Sequence, residues 1–195
     1  ETFIIMGPNH HGAGAPVATT TMDFTTPLGV VAIDQEIAGR LGRIVVDDPT
    51  PHRFEHSIEV QLPFLQYLSE EVNIVPISMA AQDPQTAAEV AAEIRNAVGD
   101  KDVVIRASSD MSHYVPAEVA RKNDMAVIDK VLALDALGIY DEVSRLNVSM
   151  CGYGPVMTMI MACGGSSAEL LKYASSGDVA PMREVVGYAG VVVRR

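Results

Sequence analysis

The sequence predicts an α/β fold: a mostly parallel, mixed central sheet flanked by helices in three layers. Three observations carry this. Short apolar runs alternate with segments of helical period across the first two-thirds of the chain. Gly, Pro and Asp punctuate the joins. Side chains able to do chemistry gather just after predicted strands, where open α/β sheets build their sites.

The elements follow in order. Phe3–Met6 is an apolar strand closed by Gly7-Pro8, and Asn9–Gly14 is a loop. Val17–Thr21 and Phe24–Ile33, rich in Thr and Val, suit extended backbone. Asp34 caps a short helix through Leu41, ended by Gly42, and Arg43–Val46 is a strand. Asp47–Phe54 is loop. Glu55–Ser69 carries Ile58, Leu62, Leu65 and Leu68 at helical spacing, with Pro63 demanding a kink or a late start. Val72–Ile77 is a strand. Asp83–Val98 is a helix with Asp83 as cap, Pro84 in the first turn and Gly99 as stop. Asp102–Ala107 is a strand and Ser108–Tyr114 a polar loop. Pro116–Leu134, Asp135–Leu146 and Pro155–Ala162 read as helices, with loop at Ser149–Tyr153. Glu169–Ser175 fits helix or strand, and Gly187–Val193 is a strand. The Thr-rich early segment and the chain's end suggest added antiparallel strands. No repeat or linker interrupts residues 1–195, which read as one domain. The chain opens directly in a strand without an initiator Met, which reads as a missing front.

Composition narrows the function. Apolar residues make up 48% of the 195, aromatics only 5%, so the core is Val, Ile, Leu, Ala and Met. A formal net charge of -11 argues against nucleic acid and against anionic membranes. Cys151 and Cys163 lie on one predicted helical segment, unsuited to a mutual disulfide. With neither a signal peptide nor a spanning apolar run, a cytoplasmic location is expected.

Four clusters carry chemical potential. In Asn9-His10-His11-Gly12, adjacent histidines point apart in extended backbone, so one can bind a metal while the other meets a substrate; the bland alternative is an exposed turn. Asp110 and His113 are three apart, a carboxylate placed to orient an imidazole, or else a helix cap beside a surface His. His56 and Glu59 have the same spacing and equally suit simple capping. Cys151 precedes a helix N-terminus, which favours the thiolate; alternatively it is a small buried hydrophobe, as Cys163 among Met159, Ile160 and Ala162 reads. The expectation is one pocket holding His10, His11, His56, Asp110, His113 and Cys151.

With these motifs assembled, the chain resembles the Memo family, related to the LigB-type (class III) extradiol dioxygenases. Gly7-Pro8-Asn9-His10-His11, Glu55-His56-Ser57-Ile58-Glu59 with Leu62-Pro63, Ser108-Ser109-Asp110 with His113, Cys151-Gly152 with Pro155, and Tyr188-Ala189-Gly190 carry the resemblance, in order along nearly the whole chain. It implies a LigB-dioxygenase-like fold lacking its N-terminal portion, where the family's other His ligand lies. It implies iron or copper held by His10 and Cys151, with His11, His56, Asp110 and His113 as catalytic residues. A Cys in place of the usual carboxylate ligand counts against ring cleavage. Two functions follow: a metal-dependent redox enzyme acting on a small molecule, or a binding module that uses the old pocket to hold a phosphopeptide or small anion. Prokaryotic members are grouped with radical-SAM and AMMECR-type partner proteins in the AmmeMemoRadiSam system, as protein B.

Overall fold

The structure is a computed structural model that describes residues 1–69 and 71–195. Its centre is two parallel strands, β1 (Thr2–Pro8) and β6 (Asn73–Met79), paired in register from Thr2↔Asn73 to Pro8↔Met79. Both are buried at six of seven positions. That explains why they read as continuous apolar runs rather than alternating ones: central parallel strands are covered on both faces. β7 (Val103–Ala107) lies parallel on the far side of β1.

On the other side of β6, β4 (Gly29–Ile33) pairs in parallel at Asn73 and Ile74, and β2 (Val17–Thr19) pairs antiparallel at Ser78 and Met79. Pro76 falls between these two partners, so its missing N–H removes no ladder bond; this is how a proline sits inside a central strand. β3 (Phe24–Thr26) and β5 (Val46–Asp47) complete a seven-stranded mixed sheet. The expected extended run Phe24–Ile33 is therefore a hairpin, turned at Pro27 and Leu28, with Gly29 opening β4 at φ 123°. Residues 43–45 are not strand, because the Glu93 carboxylate takes the amides of Gly42, Arg43, Ile44 and Val45.

Helices α1 (Gln35–Ala38), α3 (Pro84–Val98) and α6 (Tyr153–Cys163) contribute apolar residues to the core around the sheet, among them Ile37, Ile94 and Ala162. A second apolar cluster joins α4 (Ala117–Leu132), α5 (Ala136–Leu146) and α6 to a three-stranded antiparallel sheet. That sheet has the order β8 (His113–Val115), β10 (Val185–Arg194), β9 (Ser167–Ser175). It settles the ambiguous segment at 169–175 as strand, and it moves His113 out of the expected loop into β8. Each large side chain buried in these clusters, such as Met6, Ile77 or Met157, contributes about 1.5–3 kcal/mol by leaving water.

The helix expected from Glu55 starts only at Leu62: α2 is Leu62–Leu68. Pro63 is tolerated in the first turn alone, and a short 3₁₀ turn, Glu59–Gln61, precedes it. The freed segment 55–58 instead packs on β1, where a Cβ at Gly7 would strike Ser57 and Ile58. No helix among the described residues is long and apolar enough to cross a membrane.

Candidate metal centre

Three adjacent parallel strands, β6, β1 and β7, end at one edge of the sheet, and their following loops bond to one another there. Asn9 N–H donates to the Met79 carbonyl at 3.0 Å, and Ser108 N–H to that of Met6 at 2.8 Å. The loop bearing Cys151 docks on the same edge. Gln82 clamps it, donating to the Cys151 carbonyl and accepting from the Gly154 amide, both at 2.9 Å. Gly152 donates to Ser109 Oγ at 2.9 Å, and any Cβ there would collide with the Ser108 carbonyl.

Within this edge the predicted residues form two clusters. In the first, the His10 and His56 rings stack with centroids 4.7 Å apart and planes 18° off parallel. Behind them lies Glu55, the residue next to His56 in the chain. Its side chain is 2% exposed. Its Oε1 accepts from His10 Nδ1 at 2.9 Å and from the amides of His56 and Ser57, each at 2.9 Å; Oε2 accepts from the His10 amide at 2.7 Å. Burial alone would raise this carboxyl's pKa. The His10 ring and the Ser57 and His10 amides outweigh burial and hold it at about 2. Glu55 is therefore ionised and can only accept, so His10 Nδ1 is the donor of this bond, and in the neutral ring Nε2 is left as the metal-binding or accepting nitrogen. His56 Nδ1 is 3.4 Å from the same oxygen. The ligand atoms of His10, Glu55 and His56 all lie within 4.8 Å of one another, a set able to surround one cation.

The second cluster joins Asp110, His113 and Cys151. The Asp110 amide donates to Cys151 Sγ at 3.2 Å, and Ser109 Oγ lies 3.8 Å from it. His113 is fixed twice by Ser149: its amide donates to Ser149 Oγ at 2.7 Å and its Nδ1 to the Ser149 carbonyl at 2.6 Å. A carbonyl cannot donate, so His113 Nδ1 is the donor, and its Nε2 lies 3.8 Å from Asp110 Oδ2. The expected proximity of Asp110 and His113 holds, but by a strand start rather than a helical turn. The expected activation of Cys151 by a helix N-terminus does not: burial pushes the thiol up, the Asp110 amide and Ser109 hydroxyl only partly offset it, and the Asp110 charge adds to the rise. His56 makes no bond with Glu59; it faces His10 and Glu55 instead.

His11 stands apart from both clusters, exposed on a loop pinned by Asn9, whose Oδ1 accepts the His11 and Gly12 amides. Glu55 was hidden because its partner lies 45 residues away. The one local signal was a carboxylate beside a histidine where the chain leaves a proline- and aspartate-rich loop.

Residues 1–192 match the family described as Memo-like protein. A MEMO1 family protein of Archaeoglobus fulgidus is 48% identical over 199 residues, covering 100% of this chain and 76% of the relative. One from Methanopyrus kandleri is 50% identical over 206 residues, covering 100% and 73%. The chain thus spans about three-quarters of the length of these relatives. The crystal structure of the uncharacterized protein JW3007 from Escherichia coli K12 has the same fold, with a TM-score of 0.60 at 16% identity over 94% of this chain and 84% of that one. The ordered motifs, the site they build and the match along nearly every residue lead to one conclusion: this chain belongs to the Memo-like protein family.

Proposed function

We propose that the edge described above is a transition-metal centre for iron or copper, held by His10 and Cys151, serving redox chemistry on a small molecule. The observation that carries this reading is the Glu55–His10 pair. A buried carboxylate that accepts a hydrogen bond from the Nδ1–H of an imidazole fixes its tautomer, aims Nε2 outward and raises its basicity, the usual support of a metal-ligating histidine. Three of the four Glu55 hydrogen bonds converge on Oε1, which makes that oxygen the group that orients His10.

The donor set fits the group. One imidazole and one thiol suit iron or copper better than magnesium or calcium, which want oxygen. A thiol with a raised pKa stays protonated until a cation displaces the proton, and a coordinating thiol is deprotonated outright. When bound, the metal would supply Lewis acidity and one-electron chemistry. The chain's own residues do the rest. His113, held by Ser149 with Nε2 beside Asp110, is placed to move a proton at that nitrogen. His56, stacked on His10, shares the Glu55 charge. His11 is the exposed imidazole that first meets a substrate arriving from solvent.

The test is elemental analysis of anaerobically purified protein, with His10→Ala and Cys151→Ala beside it. Both variants should lose most of the bound iron or copper. A folded His10→Ala variant that keeps its full metal content ends this reading.

A further inference from the structure

We propose that Asp124 is a positioning residue for the second cluster: from inside the protein it holds the arm Asp110–His113, and with it the Cys151 and His113 contacts, a role that rests on the metal-centre reading above. Asp124 sits on α4 and is 0% exposed. The buried face of that helix is otherwise Ala120, Val127, Ile128 and Val131, so a carboxylate interrupts an apolar stripe. Aspartate is almost never fully buried unless its oxygens are paired. Neither cluster described above contains this one, and its partners show what it serves.

Its two oxygens are divided between two parts of the fold. Oδ1 accepts from the Ser112 amide at 2.9 Å, and Oδ2 accepts from the Tyr173 hydroxyl on β9 at 2.8 Å. Burial and the Asp124 carboxylate push the Tyr173 phenol well above its ordinary 10, so it keeps its proton and donates. Arg121, one turn earlier on α4, lies over the Tyr173 ring, 5.5 Å from its centroid. Gly187 on β10 completes the socket, because a Cβ there would collide with Asp124 Oδ2. The carboxylate is thus fixed by α4, β9 and β10 before it touches the arm.

The arm has little regular structure of its own, since it runs between β7 and β8. Four successive amides, from Asp110 to His113, each donate to a different partner. These are Cys151 Sγ at 3.2 Å, the Gly187 carbonyl at 2.9 Å, Asp124 Oδ1 at 2.9 Å and Ser149 Oγ at 2.7 Å. Of the four acceptors Asp124 alone is a carboxylate, and its bond is buried at both ends. Hydrogen bonds to a carboxylate are the stronger kind. Ser112 is one residue from His113 and two from Asp110, and successive Cα atoms are only about 3.8 Å apart. A shift at Ser112 therefore carries the Asp110 amide off the Cys151 sulfur and the His113 ring off Ser149.

A merely structural carboxylate would change the stability of the whole domain and loosen the arm no more than the rest. A positioning one acts on the arm first. The experiment is amide hydrogen exchange, followed by nuclear magnetic resonance, on the metal-free chain and on Asp124→Ala, Asp124→Asn and Tyr173→Phe. Asp124→Ala removes the acceptor. The amides of Asp110, Met111, Ser112 and His113 should then exchange about tenfold or more faster relative to those of α3, with loss of the hydrogen-bonded His113 Nδ1–H signal. Asp124→Asn keeps one acceptor for Ser112, and the Tyr173 hydroxyl can turn to accept from the new NH₂ group. It should restore the arm to within about threefold of the parent. If the alanine variant does not fold, Tyr173→Phe asks the same question by stripping Oδ2 of its donor, and it should speed the same four amides about threefold with α3 unchanged.

Equal speeding in α3 and the arm, or an unmoved arm in the folded variants, overturns the proposal. Iron(II) added anaerobically gives a second readout. Its affinity should fall about tenfold in Asp124→Ala and recover in Asp124→Asn. Equal affinity in parent and variants overturns the role toward the metal. A parent that binds no iron defeats the metal centre instead, and the metal-free exchange pattern still decides Asp124.

Discussion

At the scale of single residues, Glu55 decides the most. Its four inward hydrogen bonds tie the loop after β1 to the segment before α2 and set the His10 tautomer in the same act. Glu55→Gln keeps the shape but places an NH₂ group against donors, and it removes the charge that holds the His10 proton. The expected result is a 10–100-fold loss of metal affinity in chelator competition, with the far-ultraviolet circular dichroism of the parent. A drop of less than threefold would mean that Glu55 is structural only. The histidines and Asp110 could be picked out by type and spacing. Glu55 could not, because a buried carboxylate is recognised by what surrounds it, and those partners come from distant parts of the chain.

At the scale of elements, the Cys151 loop shows how tightly the site is set. Gly152 passes against Ser108 and Ser109 with no room for a methyl group, and its φ of -118° is ordinary, so the constraint is close approach rather than backbone strain. Gly152→Ala should cost about 1–3 kcal/mol in urea unfolding and shift the Cys151 sulfur away from the Asp110 amide. An unchanged stability would show that the loop relaxes freely. Helix and strand types were legible here wherever period and caps agreed, as in α3 with Asp83 bonding the Gln85 and Thr86 amides. Legibility failed where a tertiary partner took the backbone. Arg43–Val45 lost its strand to the Glu93 carboxylate, and Glu55–Ile58 lost its helix to Pro63 and to packing on Gly7.

At the scale of the whole molecule, the same buried carboxylate chemistry sets the response to acid. Burial would raise Glu93, but four backbone amides from 42–45 outweigh it and lower its pKa below the ordinary 4.5. A depressed folded value contributes stability that is present above the unfolded value and lost as pH falls through the folded one. Unfolding free energy should therefore decline as pH drops below about 4.5. Glu93→Gln, which sets NH₂ donors against amide donors, should cost about 1.5–3 kcal/mol near neutrality and flatten that decline. Urea melts of both proteins across that range check this. Parallel slopes would assign the acid response to other groups.

The sequence by itself determined the α/β class, the buried strands β1 and β6, the capped helices and the family, because these rest on local pattern and on motifs kept in order. Tertiary structure alone decided that His10 is backed by Glu55 and that Cys151 is buried into a weaker acid instead of an activated one. Each of those depends on groups brought together from separate parts of the chain, and desolvation and hydrogen-bond partnership have no value until folding sets those distances.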